Sequence, residues 1–153
     1  MRSTFVKWFL LIGVTATALF LAEQKGALSL IIANDASYIS ILIMSLFVGM
    51  SAFLGVISYQ SDTAGKQERA KLLKRTDIGH FTADHLFTLG LLGTVLGLIV
   101  ATSGSLIDTA SVSEIVAGLK EGLNISFFTT ITGIISSLLL QLQLLVLKNG
   151  LEE

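Results

Sequence analysis

Cysteine and proline are both missing from the 153 residues. Without cysteine there can be no disulfide, thiol catalysis, or cysteine-ligated zinc or iron–sulfur site. Without proline the commonest cause of a kinked membrane helix is gone, so long and nearly straight helices are expected. Charge is scarce too. Only 14% of residues are Asp, Glu, Lys or Arg and 52% are hydrophobic, whereas soluble domains carry about a quarter charged. Such a chain lacks the water-facing surface a soluble fold needs. The formal net charge is −1. No basic tract points to nucleic acid and no acidic tail to a solvating arm. Nucleotide-binding loops, catalytic triads and metal-binding helix motifs are absent, so no enzyme is expected.

What the chain has instead is four apolar stretches, at residues 5–22, 39–59, 86–103 and 125–147. Each falls within the roughly 17–25 residues that cross a hydrocarbon core. In lipid the backbone must satisfy its own hydrogen bonds, so all four are read as helices. The fold class is therefore an all-α polytopic membrane protein with four transmembrane helices. Lys66, Arg69, Lys71, Lys74 and Arg75 lie between the second and third stretches, Arg2 and Lys7 at the start, and Lys148 after the fourth. The positive-inside rule then places both termini and segment 60–85 in the cytoplasm of a bacterial inner membrane. Division at residue 38 gives an N-terminal helix with its periplasmic connection (1–38) and a remainder (39–153).

Smaller features refine this reading. Ala16-Thr17-Ala18 resembles a signal-peptide cleavage site, but the apolar run continues to Ala22. Ser111 and Glu114 have capping-box spacing, so the last helix is expected to start near Ser113, outside the membrane. It should run to Lys148 and stop at Asn149-Gly150. Segment 60–85 is too short for a domain and could extend the second helix, with Glu68 and Lys71 at (i, i+3) spacing. Trp8, Tyr59 and Tyr38 are placed in interfacial belts. Gln141 and Gln143 are read as meeting headgroups or neighbouring subunits, and Asp108 as a loop residue. His80, Asp84 and His85 are read as interfacial polar residues, since the histidine spacing does not share one helix face. Asn124-Ile125-Ser126 matches a glycosylation sequon but lies at or inside the membrane.

No ionisable residue occupies the middle of any of the four stretches, although ion-coupled proteins keep one inside the membrane. Either the chain moves no ion, or another subunit brings the charged group. The last two stretches do carry small and hydroxyl residues at helical spacing. Gly90, Gly93, Thr94, Gly97 and Ala101 form one face, and Ser126, Thr129, Thr130, Gly133, Ser136 and Ser137 another. Tight helix packing explains the glycines, Gly93 and Gly97 being a GxxxG pair. The hydroxyls are open to two accounts: a pore or partner-facing surface, or bonds back to their own helix carbonyls.

The run Leu89-Gly90-Leu91-Leu92-Gly93-Thr94-Val95-Leu96-Gly97-Leu98-Ile99 resembles the signature of the MotA/TolQ/ExbB proton-channel family. Gly122-Leu123 and Phe128-Thr129-Thr130-Ile131-Thr132-Gly133 resemble that family's second, Thr-containing motif. The resemblance covers residue 39 to about Lys148. It implies a ring, typically a pentamer, in which the last two helices form a pore-lining hairpin. It further implies a single-span partner of the TolR/ExbD/MotB kind that supplies an Asp, with H+ or Na+ translocated and no other cofactor. Thr94 and Thr130 match the family's pore-facing threonines, with Ser126 and Thr129 beside them and Gly90, Gly93, Gly97 and Gly133 packing the helices. Two features depart from the pattern. Asn124-Ile125-Ser126 stands where many relatives carry a Glu, and Glu121 is read as an exposed helix-end charge. The short segment 60–85 leaves no room for a rotor-engaging domain, which favours a compact TolQ/ExbB-like energiser. The rival from another class is a holin-like or scaffolding oligomer with no ion-coupled partner. A secondary transporter would need the missing buried carboxylate.

Overall fold

The computed structural model describes residues 3–35, 37–103 and 111–152. Arg2, Asp108 and most of the connection between the last two stretches lie outside the described residues. Every described element is an α-helix: α1 (Ser3–Gln24), α2 (Ala27–Asn34), α3 (Ile39–Ser61), α4 (Lys66–Ser103) and α5 (Val112–Glu152). The four long ones, α1, α3, α4 and α5, are long and apolar enough to cross a membrane. The 38 residues of α4 and 41 of α5 make helices of roughly 57 and 62 Å at 1.5 Å per residue.

Two boundaries differ from expectation. α3 ends at Ser61, and residues 66–85 belong to α4, so this segment extends the third apolar helix and not the second. Residues 62–65, with Gly65, make the turn between them. α5 continues through Asn149-Gly150 to Glu152. Gly150 is no stop signal; the start of α1 packs against it, and a Cβ there would collide with the Thr4 side chain. A glycine that lets another helix approach has the same sequence as a C-cap glycine. The expected capping box does form: Ser111 N–H donates to Glu114 Oε2 at 2.8 Å, and Glu114 N–H to Ser111 Oγ at 3.4 Å.

Polar groups tie the helix ends together. The Asp62 carboxylate accepts Thr4 N–H and Phe5 N–H, both at 3.2 Å, so it satisfies orphan donors at the start of α1 from the far end of α3. At the opposite end, Glu23 accepts from Leu28 N–H (3.0 Å) and Ser29 Oγ (2.6 Å), capping α2. Asn124 Nδ2 donates to Asn34 Oδ1 at 3.2 Å, joining α5 to α2. The buried Asp35 caps α3 by accepting Ser40 N–H at 2.7 Å and Ser37 N–H at 3.0 Å. Burial pushes the Asp35 carboxyl up, but the hydrogen bonds from Ser37 and Ser40 outweigh it and hold the pKa below the ordinary value. A lowered folded pKa means stabilisation that is complete above the unfolded value of about 4 and is lost as pH falls through the folded one. Thermal unfolding in detergent should therefore lose stability below about pH 4, and Asp35→Asn should flatten that slope. An unchanged slope would remove Asp35 from the account.

The apolar interior lies between α3, α4 and α5, with Ile43, Leu54, Ile57, Leu72, Leu86, Leu140, Leu144 and Leu147 among its buried members. α1 docks on this trio through a polar node. Trp8 packs its ring on Gly55 and donates Nε1–H to Gln143 Oε1 at 3.3 Å. Gln143 Nε2 in turn donates to Ser51 Oγ at 3.0 Å. Gln143 is wholly buried and Trp8 nearly so. The belt position expected for Trp8, and the headgroup or neighbour contact expected for Gln143, give way to this internal bridge. Its chemistry is consistent: an unpaired indole N–H inside an apolar bundle costs about 1–3 kcal/mol, so it seeks an acceptor.

Candidate functional site along the α4–α5 seam

α4 and α5 run antiparallel and make the most extensive helix contact of the chain. Its register is fixed by small residues. Gly79 lies against Leu144, Gly90 against Gly133, Gly93 against Thr129, Gly97 against Ser126, and Gly122 against Ala101. The Gly90–Gly133 crossing is backbone on backbone: a Cβ on Gly133 would stand 2.8 Å from Gly90 Cα and 2.9 Å from Leu86 O. Gly90, Gly93, Gly97 and Gly133 all lie in this seam. Gly122 and Ala101 belong to the same seam.

The four hydroxyl residues expected at a pore divide into two pairs. Ser126 and Thr129 are buried in the seam. Ser126 Oγ donates across it to Thr94 O at 3.0 Å, and Thr129 Oγ1 donates to its own helix at Ile125 O, 2.6 Å away. Thr94 and Thr130 sit at the edge of the seam, half-buried and open on one side. Their hydroxyls hydrogen-bond each other. Thr130 Oγ1 is also 2.7 Å from Ser126 O, and Thr94 Oγ1 is 3.3 Å from Gly90 O.

Counting protons shows what this pair can do. Each hydroxyl has one proton and two lone pairs. If Thr130 donates to Ser126 O and Thr94 donates to Thr130, both protons are used and lone pairs remain on the open side. The pair can accept a hydrogen bond from a protonated group or coordinate a small cation, and it cannot itself ionise. Glu121 on α5 and Asp84 on α4 are the nearest carboxylates along the two helices. They stand nine and ten residues away, about 14–15 Å along the axis. Spacing alone could not divide the hydroxyls in this way, because residues 129 and 130 occupy neighbouring faces of one stripe.

Residues 49–153 match the model of the MotA/TolQ/ExbB proton channel family. No curated protein and no solved structure matches the chain. The matched region opens inside α3 and takes in all of α4 and α5, so it contains the glycine register and the Thr94–Thr130 pair; α1 and α2 precede it. With four helices able to cross a bilayer and more than half its length inside that match, the chain is a multi-pass membrane protein that belongs to the MotA/TolQ/ExbB proton channel family.

Proposed function

We propose that the chain is the ring-forming, ion-conducting subunit of a membrane motor driven by a proton or sodium gradient. In this reading α4 and α5 form a hairpin lining the lumen of a homo-oligomer, a pentamer by analogy with the family. A single-span partner helix inside the lumen brings the ionisable Asp. The observation that carries the reading is the Thr94–Thr130 pair, which offers lone pairs at a seam edge with no carboxylate within eight residues of it on α4 or α5. A partner Asp would be held there in its protonated form by donating to a threonine oxygen, and would release its ion on moving to the next subunit.

Orientation follows from charge. Contacts of Thr4 with Asp62 and Gly150 bring the start of α1, the α3–α4 turn and the end of α5 to one end of the bundle. Lys7, Lys66, Arg69, Lys71, Lys74, Arg75 and Lys148 lie in the same parts of the chain. This basic end is assigned to the cytoplasm of a bacterial inner membrane. The load would then be reached through the partner's periplasmic part.

The test is purification of the complex with and without a co-expressed single-span protein that carries an Asp in its membrane helix. Particle images should show a ring whose lumen holds helices in the first case and none in the second. A closed assembly with no lumen, identical in both preparations, would replace this reading with the scaffold alternative.

A further inference from the structure

The first half of α4 carries polar side chains at a depth where its neighbours are apolar. Gln143 bonds Ser51, which is midway along the apolar helix α3. The next residue, Leu144, packs on Gly79 of α4. His80 is therefore level with the middle of α3. At this level α3 turns Val48 and Val56 outward, each more than half exposed. α4 turns out Asp77, His80, Asp84 and Thr88, all exposed, with Phe81 exposed beside them. Their three- and four-residue spacing places them on one helix face. Asp77, His80 and Asp84 have no side-chain hydrogen bond or ion pair among the described residues, and Thr88 Oγ1 donates to Asp84 O at 2.9 Å.

These two faces cannot share a solvent. Valines at mid-span suit hydrocarbon, whereas unpaired carboxylates and an imidazole at the same level do not. Polar side chains at membrane depth face a bundle interior or a water-filled cavity. We infer that the α4 face of Asp77, His80, Asp84 and Thr88 borders a water-filled passage inside the assembled ring, leading from the basic end towards Thr94 and Thr130. The inference rests on the ring reading, because in a lone chain this face would meet lipid. Thr88 lies six residues before Thr94, about 9 Å along the helix. Beyond it the same face becomes Leu91, Val95 and Leu98, so the wet stretch ends just short of the threonine pair.

The absence of cysteine makes the test direct. Single variants H80C and T88C, and the level-matched controls V48C and V56C, are placed in the assembled complex in open membrane fragments. Each is reacted with a charged, water-soluble maleimide. A thiol ionises in water and is held protonated in apolar surroundings. Each unit by which such surroundings raise the thiol pKa slows reaction by about tenfold, so H80C and T88C should label at least that much faster than both controls. Equal, slow labelling at all four positions would mean lipid or a dry neighbouring subunit covers the α4 face, and would overturn the inference. Equal, fast labelling would overturn it too, by showing that this level lies outside the bilayer. Labelling needs no ion flow, so a complex that labels as expected and drives no work defeats the motor reading and leaves the passage standing.

Discussion

Replacing Gly133 with valine is expected to leave the chain unable to close its longest helix contact. The atoms a Cβ would meet are Gly90 Cα, Leu86 O and Gly90 N, at 2.8, 2.9 and 3.1 Å. All are backbone, so no rotamer change relieves the overlap and α4 must move bodily away from α5. The reciprocal position is nearly as tight, with a Cβ on Gly90 lying 3.1 Å from both Gly133 Cα and Thr129 O. Overpacking a well-fitted interior costs about 1–3 kcal/mol, occasionally more, and valine adds two methyls to the clashing Cβ. Separation there also loosens the Gly93–Thr129 and Gly97–Ser126 contacts on one side and Gly79–Leu144 on the other. The variant should unfold many degrees below the parent in detergent, or fail to accumulate. Gly118→Ala supplies the contrast, since its Cβ would find only Val100 O at 3.9 Å. An alanine is a better helix residue than glycine by about 1 kcal/mol, so G118A should be neutral or slightly stabilising. Wild-type stability in G133V would mean the register described above is wrong.

The sequence made this seam visible in outline because membrane helices announce themselves by length and composition, and small residues at helical spacing mark a close approach. The capping box at Ser111 and Glu114 was legible for a similar reason: both partners lie within one turn. What remained hidden depends on how helices align with one another. Residues 66–85 read as a water-exposed connection because they are polar on average. Yet α4 runs back alongside α3, burying Leu72, Thr76, Gly79, Ala83 and Leu86 and leaving Asp77, His80 and Asp84 exposed. Gln143 reads as a headgroup contact because it is near the end of an apolar run. Only the packing of α1 and α3 against α5 brings Trp8 and Ser51 to its two amide ends. Gly150 gave a stop signal that a tertiary contact overrides.

Within the candidate site, the distinction that matters most is between the hydroxyls at the edge of the seam and those inside it. Thr94→Val and Thr130→Val each preserve side-chain shape and remove one hydroxyl from the open pair. Ring assembly should survive in both, because the glycines and buried hydroxyls that set the register are untouched. Ion flow driven through the ring with its partner should not. A hydrogen bond to a group that charges and discharges contributes about 1.5–3 kcal/mol, so each variant should slow ion flux in proteoliposomes about ten- to a hundredfold. Serine at either position keeps the hydroxyl and should restore most of the flux. Thr129→Val separates chemistry from packing. Its hydroxyl is already committed to Ile125 O and its side chain is wholly buried, so it should alter stability and leave flux within a few-fold of the parent. Full flux in both T94V and T130V would disconnect the pair from the ion path. Loss of flux in T129V equal to theirs would point to a seam that works by fit alone, with no special part for the two hydroxyls exposed at its edge.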